Sequence, residues 1–542
     1  MSFKNNYTFW IVITCLSIFF VNLDTIVINI MEARNFITAR EMIQEGNWLL
    51  TTLNGEPRYE KPPLPTWLTA LSAMIFGFKN LIALRIPAAL ISTLLVVYLY
   101  KLGNSFTNNK KYSFISSLVL ATSFFIIFSG RSSQWDIFTH GFMIICIYQL
   151  FLFFSFKNKN YQRAIIAALF FGFSFLSKGP VSLYALLLPF LISYGFTYKF
   201  KNIKKRIVPF ILFLIIGFIV SGWWYWYTYH FDPINISEIT KKETSNWSSY
   251  EIKPFYYYWS FFTQSGIWTI PAFIGLLYPY LKNKVSNKKG YSFTFLWTII
   301  SLVLLSVIPE KKSRYLLPVL IPLALNTAFY IEYLILRFKE LKNKKETIPV
   351  YFNFGLIAAI GIVFPIGGYF FLKDSINEYI IWYILLSISL FSIGLLILKY
   401  LKNKNIQMVF YLTIGFIISI MAFGLPLSKS FYNNPSYNSI SNLNSWQNKS
   451  NLEVYEYYKF CPEMIWEFGK PIIVLTKNNS VIIPDENSFG VLVSLNQKEN
   501  FNKTFDKYSI EKIERYDMNL KEPGSKSHRP RLWRDLYLVT KK

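Results

Sequence analysis

The chain has 542 residues, of which 53% are hydrophobic and 19% aromatic, and its formal net charge is +26. So much apolar surface over this length excludes an ordinary soluble protein. The charge does not indicate nucleic-acid binding, because most lysines and arginines lie in short clusters between apolar segments, where the positive-inside rule places them. We therefore expect a polytopic α-helical membrane protein that binds no nucleic acid.

Apolar stretches recur up to about residue 427, and many have the roughly 20 residues that a helix needs to cross a bilayer. We predict about 13 transmembrane helices, at 8–29, 82–100, 112–129, 137–156, 162–177, 180–198, 207–229, 258–281, 291–308, 315–336, 349–372, 378–398 and 406–427. A further piece, 64–77, has about 14 residues, which is typical of an interfacial or re-entrant segment.

Loop charge predicts on which side of the membrane each loop lies. With a cytoplasmic N-terminus, and with 64–77 not crossing, all the strongly basic short loops lie inside, as the positive-inside rule requires. These loops are 101–111, 157–161, 199–206, 282–289, 337–346 and 399–404. If 64–77 crossed, all six would lie outside. The predicted outer segments are 30–81, 130–136, 230–257, 309–314, 373–377 and the tail 428–542.

The composition changes sharply after residue 427, where the chain becomes polar. We predict a transmembrane domain over 1–427, with 30–81 as its first outer loop, and a soluble outer domain over 428–542. Short strand-like runs in the tail favour a small α/β or mostly-β domain. These runs are 471–476, 481–483 and 490–495.

The first outer loop carries the densest group of charges. Apolar residues at helical spacing predict a helix over 32–45, and Gly46 is a plausible stop. Asn54 and Gly55 predict a turn. The loop is therefore expected to be structured.

Arg58 and Lys61 stand just before two prolines that fix an extended backbone ahead of 64–77. A basic pair at this depth suits a lipid phosphate, because Arg and Lys donate charge-assisted hydrogen bonds to phosphate oxygens. The alternative is that both side chains anchor the loop at the membrane interface.

Asp136 lies at the mouth of a predicted span, beside Trp135. A carboxylate there can act as a general base or orient a substrate hydroxyl. The alternative is a salt bridge to Arg131, the nearest cation in sequence, or to a neighbouring loop.

Two further basic sites lie at outer boundaries. FLSKGP places Lys178 there, and IPEKKSRYLLP places Arg314 and Tyr315 at the start of the tenth span, beside two lysines. Each could be an interface anchor, the commoner role of Lys and Tyr at that depth. Several such clusters on one side favour a shared anionic ligand.

The first loop, EARNFITAREMIQEGNWLLTTLNGEPRYEKPPLPTWL, resembles that of bacterial membrane glycosyltransferases of the GT-C fold. The resemblance is to the branch of the lipid A aminoarabinose transferase and its protein mannosyltransferase-like relatives. The matching elements are Glu32–Arg34, Arg40–Met42, Gly46–Trp48, Asn54–Gly55, Glu60–Leu64 and Trp67. Further along, Asp136, FLSKGP and KKSRYLLP resemble later family motifs.

This resemblance implies a GT-C fold and an enzyme that moves a sugar from a polyprenyl-phosphate donor to a lipid A, glycan or protein acceptor. The site would face the periplasm of the bacterial inner membrane, and we expect a monomer. The residues that it implies for the donor phosphate are Lys61 and Arg34, then Arg58, Tyr315, Lys178 and Arg314. Glu32 and Asp136 would activate or position the acceptor.

The chain departs from the family pattern in two places. The first acid of an Asp-Glu pair is Met31 here, so Glu32 has to take its role or the acceptor chemistry differs. A Glu-His pair reads Glu243-Thr244, which argues against a metal that bridges Glu60 to that histidine. The sequence leaves open whether a divalent cation is needed.

Two other functions fit a membrane protein with outer basic sites. A transporter or flippase for lipid-linked anions would show charged or broken helices near the midplane and inverted repeats, and neither is evident. An O-antigen ligase-type protein would carry its large loop late in the chain. The motif-rich first loop favours the glycosyltransferase.

Overall fold

The computed structural model describes residues 6–156, 160–201, 203–372, 376–432, 434–477 and 480–542. Parts of the predicted loops 157–161 and 373–377 lie outside these residues. The chain divides into two compact units. The first comprises 1–25 and 59–427, and the second comprises 26–58 and 428–542.

The first unit is helical. Its α-helices of seven or more residues are Tyr7–Cys15, Leu64–Phe76, Leu81–Thr107, Lys110–Ala121, Phe124–Arg131, Trp135–Ser155, Asn160–Lys178, Leu188–Tyr198, Ile207–Phe231, Pro233–Ser249, Thr269–Gly275, Lys288–Val307, Leu317–Arg337, Lys344–Leu372, Ile376–Lys402 and Ile406–Ser419. π-Helical turns at Leu16–Phe20 and Leu183–Leu187 extend two of them, and a 3₁₀ segment spans Phe261–Trp268.

Within the described residues, eight helices are long and apolar enough to cross a membrane. A ninth span is possible if Lys110–Ala121 and Phe124–Arg131, which meet at 65°, count as one. The protein is therefore a multi-pass membrane protein, while the count of 13 spans stays a prediction.

Two predicted spans differ from the observed elements. The helix predicted over 8–29 ends at Phe20, and Asn22 follows in the left-handed region with φ 52°, where its amide donates to carbonyls of Met421 and Ala422. The region 258–281 is a series of short helical segments, because Gly266 adopts φ 66° and breaks the helix.

The segment predicted to lie at the interface is a short helix. Leu64–Phe76 has 13 residues, too few to cross a bilayer. It starts after Pro63 and ends at Gly77, whose φ of 97° stops the helix. Large apolar side chains near its end are exposed, among them Met74 and Ile75, as suits a helix in contact with lipid.

The second unit combines helices with a mixed four-stranded sheet. Its strands are β1 (Thr52–Leu53), β2 (Glu56–Pro57), β3 (Val454–Glu456), β4 (Thr476–Lys477), β5 (Ser480–Val481), β6 (Ser488–Val493), β7 (Tyr508–Asp517) and β8 (Trp533–Lys541). The main sheet has the order β3-β6-β8-β7, in which β3 and β6 are parallel and the other pairs antiparallel. Its α-helices are Ile30–Glu45, Leu443–Ser450, Pro462–Phe468 and Lys498–Thr504. A small α/β fold is thus observed.

The helix predicted over 32–45 is Ile30–Glu45, and Gly46 ends it in the left-handed region with φ 79°. It packs on the helix Pro462–Phe468, with the Phe36 and Trp466 ring centroids 5.3 Å apart. The first-loop helix is thus part of the second unit.

The predicted Asn54–Gly55 turn joins β1 to β2 and is fixed by Glu41. Asn54 and Gly55 have φ of 59° and 76°, as a tight hairpin turn requires. The Glu41 carboxylate accepts hydrogen bonds from the backbone N–H of Asn54 at 2.7 Å and from Thr52 Oγ1 at 2.5 Å. Burial raises the pKa of Glu41.

Gly55→Ala tests the backbone conformation of this turn. An added Cβ would meet no atom within 4 Å, so the cost is the left-handed conformation alone, about 1–2 kcal/mol. We expect the melting temperature to fall by about 3 °C or more, measured by differential scanning fluorimetry. Gly222→Ala is the control, because Gly222 also has open space but lies inside a helix. An unchanged melting temperature in Gly55→Ala would show that an alanine adopts the left-handed conformation at position 55 without the expected cost.

Candidate active site

Asp136 and Lys178 form a buried ion pair in the first unit. Asp136 lies in the first turn of Trp135–Ser155, and Lys178 ends the neighbouring helix Asn160–Lys178. Lys178 Nζ donates to Asp136 Oδ1, and the two side chains are 9% and 7% exposed. Gly179 follows with φ 69°, which ends the helix at the lysine.

Arg131, the partner proposed from sequence proximity, does not bind Asp136. Its guanidinium donates to the carbonyls of Ile18, Val21 and Asn22 at 2.6–2.7 Å. The arginine therefore fixes the irregular end of the first helix, and the salt-bridge alternative for Asp136 holds with Lys178 as the partner.

The predicted pair Arg314 and Tyr315 lies beside Glu310. The Tyr315 hydroxyl donates to Glu310 Oε1 at 2.8 Å, and Lys312 Nζ donates to the same oxygen at 2.6 Å. The Arg314 guanidinium lies 5.7 Å from the Tyr315 ring centroid. Arg314 Nε is shielded from solvent and has no hydrogen-bond partner among the described residues.

These two groups lie next to each other. Lys178 Nζ is 5.1 Å from the Tyr315 ring centroid. Arg314 exerts an electrostatic effect on both members of the Asp136–Lys178 pair, and Lys61 acts on Lys178. The structure thus brings together four of the predicted residues, Asp136, Lys178, Arg314 and Tyr315, with Lys61 within electrostatic range. We call these five residues the basic cluster.

Lys61 is held by the helix Pro233–Ser249. Its Nζ lies 3.3 Å from Glu243 Oε2, and the two side chains are 23% and 39% exposed. Nearby in sequence, the Tyr59 hydroxyl donates to Asp232 at 2.7 Å. Burial, and to a lesser extent this contact, raises the pKa of Tyr59. Two contacts therefore join the segment before Leu64–Phe76 to the loop after the seventh predicted span.

Three predicted residues lie in the second unit. Glu32 is fully buried, and its carboxylate caps the first-loop helix by accepting from the backbone and side-chain amides of Asn29 at 3.3 and 2.8 Å. Arg58 donates through Nη1 to the Arg34 carbonyl at 3.1 Å and to Thr38 Oγ1 at 2.7 Å. Arg34 Nε is shielded and has no hydrogen-bond partner among the described residues.

Sequence reasoning did not select Glu310, Asp232 or Glu243 as site residues. Glu310 stands two residues before Lys312, so its charge within a basic outer loop was the available signal. The contacts of Asp232 and Glu243 join segments more than 170 residues apart, and no local pattern indicates them.

The described part of the chain contains no group of three or more His, Cys, Asp or Glu side chains arranged to hold a metal ion. Glu60 Oε2 is shielded and lacks a hydrogen-bond partner there. One carboxylate does not make a metal site, so the metal requirement stays open.

The cluster favours an anion. The five residues contain three cations and one carboxylate, although Glu243 pairs with Lys61 and Glu310 accepts from Tyr315. The shielded Arg314 Nε has no hydrogen-bond partner among the described residues. A guanidinium and ammonium groups that converge at low exposure bind phosphate oxygens by charge-assisted hydrogen bonds. A carboxylate beside them can accept a proton or orient a hydroxyl.

A family match covers the part of the chain that contains Lys61, Asp136 and Lys178, and two relatives match more than half of the chain. The profile of the dolichyl-phosphate-mannose-protein mannosyltransferase family matches residues 60–226. The undecaprenyl phosphate-alpha-4-amino-4-deoxy-L-arabinose arabinosyl transferase 1 of Proteus mirabilis is 27% identical over 64% of this chain and 63% of its own length. The corresponding transferase of Photorhabdus laumondii is 25% identical over 55% of this chain and 54% of its own length. The matches thus span about half to two thirds of these relatives.

Two solved structures share the fold over nearly the whole chain. ArnT from Cupriavidus metallidurans bound to undecaprenyl phosphate superposes with a TM-score of 0.70 at 14% identity, covering 98% of each chain. Its apo form gives 0.68 at 13% identity, covering 98% of this chain and 96% of ArnT. The expected GT-C fold and the resemblance seen in the sequence are confirmed.

Proposed function

We propose that this GT-C-fold membrane protein, similar to aminoarabinose and mannosyltransferases, transfers a sugar from a polyprenyl-phosphate donor to an acceptor on the periplasmic face of the inner membrane. One observation carries the proposal: Lys178, Arg314 and Tyr315 converge beside a buried Asp136 at the ends of apolar helices. A lipid-linked phosphate meets a protein at that depth.

The chemistry required is the release of a lipid phosphate. As the bond between the sugar carbon and the phosphate oxygen breaks, negative charge grows on the phosphate, and cations placed there stabilise the transition state by several kcal/mol. Lys61, Lys178 and Arg314 supply the cations, and the Tyr315 hydroxyl can donate a hydrogen bond. Asp136 accepts the proton of the attacking hydroxyl or orients that hydroxyl.

The comparisons support the proposed donor class. The family match over 60–226 includes Lys61, Asp136 and Lys178. The relatives' names specify undecaprenyl phosphate-linked aminoarabinose, and the ArnT structure contains undecaprenyl phosphate. A polyprenyl-phosphate sugar is therefore the donor class that we propose, while the sugar and acceptor are to be found by experiment.

The roles inferred for the second unit rest on the resemblance. Arg34 and Arg58 are proposed phosphate ligands by their position in the first-loop motif. Glu32 is proposed to act on the acceptor, although in the structure its carboxylate caps a helix. The periplasmic orientation rests on the basic inner loops.

Comparative mass spectrometry tests the proposed function. Lipid A and total glycans from a wild-type strain and a deletion strain would be compared. The purified protein would be assayed for release of undecaprenyl phosphate from an undecaprenyl-phosphate sugar in the presence of a lipid A or glycan acceptor. We expect one sugar mass to disappear in the deletion strain and to return with the wild-type gene. Identical profiles together with an inactive purified protein would contradict the proposal.

Tyr315→Phe tests whether the tyrosine hydroxyl reaches the donor. Hydrogen bonds to a charged group contribute about 1.5–3 kcal/mol, so we expect kcat/KM to fall at least tenfold in the undecaprenyl-phosphate release assay. Tyr257→Phe is the matched control, because that hydroxyl contacts Ser313 Oγ at 3.4 Å, outside the basic cluster. Unchanged kinetics in Tyr315→Phe would show that its hydroxyl only holds Glu310.

A further inference from the structure

The second unit contains two neighbouring cavities that the basic cluster does not include. Their volumes are about 320 and 330 Å³, each within the range of small-molecule sites. Tyr458 and Gln497 line both. The two cavities therefore adjoin, and together they form what we call the paired groove.

The first cavity is rich in positive charge. Its basic lining residues are Arg34, Lys459, Arg531 and Arg534. Arg531 is paired with Glu463 and Arg534 with Glu456, at 2.6 and 2.7 Å.

The other two cations of this cavity, Arg34 and Lys459, are not neutralised by a carboxylate of the described residues. Arg34 and Lys459 form no ion pair within the described part of the chain, and Arg34 Nε is shielded without a hydrogen-bond partner there. A shielded donor without a partner costs free energy unless a ligand satisfies it. The first cavity is therefore suited to an anionic group.

The second cavity is suited to sugar hydroxyl groups. Its lining is mostly hydroxyl and amide side chains, which both donate and accept hydrogen bonds, with Val481 and one cation, Lys503, beside them. The hydroxyl and amide residues are Tyr457, Tyr458, Thr476, Gln497, Asn500 and Thr504. Rings and prolines, among them Phe460 and Pro530, also line the first cavity, and flat apolar surfaces of this kind pack against the C–H faces of sugars.

We propose that the paired groove binds an acidic glycan, with the carboxylate or phosphate of one sugar at Arg34 and Lys459 and the next sugar in the cavity lined by Asn500 and Thr504. The two volumes and their shared wall suit two linked sugar units. This binding goes beyond the proposed transfer reaction. It assigns Arg34 to the glycan instead of the donor phosphate, which then depends on Lys61, Lys178 and Arg314. If transfer is also shown, an acidic glycan is the acceptor class that the groove selects.

Binding to the full-length protein in detergent tests the proposal, with digalacturonate, galactobiose and inorganic phosphate as probes in saturation-transfer NMR titrations. We expect digalacturonate to bind at least tenfold more tightly than either galactobiose or phosphate. Lys459→Gln should weaken digalacturonate binding about tenfold and leave galactobiose unchanged, because it removes one charge-assisted hydrogen bond. Gln497→Ala should weaken the binding of both digalacturonate and galactobiose, because Gln497 lines both cavities.

Lys470→Gln is the matched control, since Lys470 is exposed in the same unit and lies outside both cavities. It should bind like the wild type. Equal affinity for all three probes, or digalacturonate binding that neither variant changes, would overturn the proposal. Phosphate binding as tight as that of digalacturonate would also overturn it, by showing a simple anion site. No probe requires the donor, so failure of the transfer reaction leaves this test intact.

Discussion

Asp136→Asn is expected to lower kcat/KM for undecaprenyl-phosphate release by about 100-fold or more. An amide cannot take the proton of the acceptor hydroxyl, and general base catalysis contributes about 10²–10⁴ in rate. Lys178→Met should have a comparable effect, because it removes a cation from the site of growing phosphate charge, where one lost donor costs about 10²–10³ in kcat. The measurement is steady-state kinetics of the purified protein.

The same substitutions also affect folding, because the pair is buried at 9% and 7% exposure. Removing one partner leaves an unpaired buried charge and costs about 3–5 kcal/mol. Removing both charges is often neutral. The double variant Asp136→Asn with Lys178→Met should therefore melt closer to the wild type than Asp136→Asn alone, yet remain inactive.

A purely structural pair would behave differently: the double variant would recover activity along with stability. A second ion pair provides the control. Lys284 and Glu346 are bonded between two predicted inner loops, so neutralising both with Lys284→Met and Glu346→Gln should leave activity near that of the wild type. Activity lost equally in both double variants would point to general damage.

The sequence predicted the features that depend on local signals. Period-3.6 spacing predicted the helix Ile30–Glu45 and Gly46 predicted its end, while Asn54–Gly55 predicted the hairpin turn. In the structure both glycines lie at positive φ, as these positions require. The short length of 64–77 indicated a helix that does not cross. These features are set within a few residues, so the sequence carries them.

The partners of buried charges could not be predicted in this way. Arg131 is five positions from Asp136, but its own helix, Phe124–Arg131, aims it at backbone carbonyls near residue 20. Lys178 reaches Asp136 because the helices Trp135–Ser155 and Asn160–Lys178 pack together. Helix packing, which no sequence spacing records, selected one cation over the other.

Strands of the second unit show the same limit. The apolar run 471–476 was predicted as a strand, and that prediction is largely wrong: it pairs through an isolated bridge at Val474 and enters β4 only at Thr476. The long strands β7 and β8 were not identified, because adjacent charged residues break their apolar pattern: Glu511–Lys512 and Glu514–Arg515 in β7, and Arg534–Asp535 in β8. β8 pairs with β6 and β7 pairs with β8, and this order is set by the tertiary fold. Of the three predicted runs, only 490–495 overlapped a main-sheet strand, β6.

Lys61→Ala is expected to reduce kcat/KM by about 10²–10³ while leaving the melting temperature nearly unchanged. The Lys61–Glu243 pair is 23% and 39% exposed, and ion pairs in such positions contribute about 0–1 kcal/mol to stability. A cation beside a leaving phosphate contributes several kcal/mol to the transition state. Lys61→Arg keeps the charge and should retain part of the activity in the same assay.

Glu243→Gln separates the observed ion pair of Lys61 from its proposed role at the donor phosphate. The Lys61 ammonium group cannot bind the donor phosphate fully while it is paired with Glu243 at 3.3 Å. The Glu243 carboxylate therefore competes with the donor for Lys61. Removing that carboxylate should lower the KM for the donor about two- to fivefold, because an exposed pair contributes up to about 1 kcal/mol, and should leave kcat unchanged. If Glu243→Gln instead loses as much activity as Lys61→Ala, then Glu243 positions Lys61 for catalysis, and the competition is refuted.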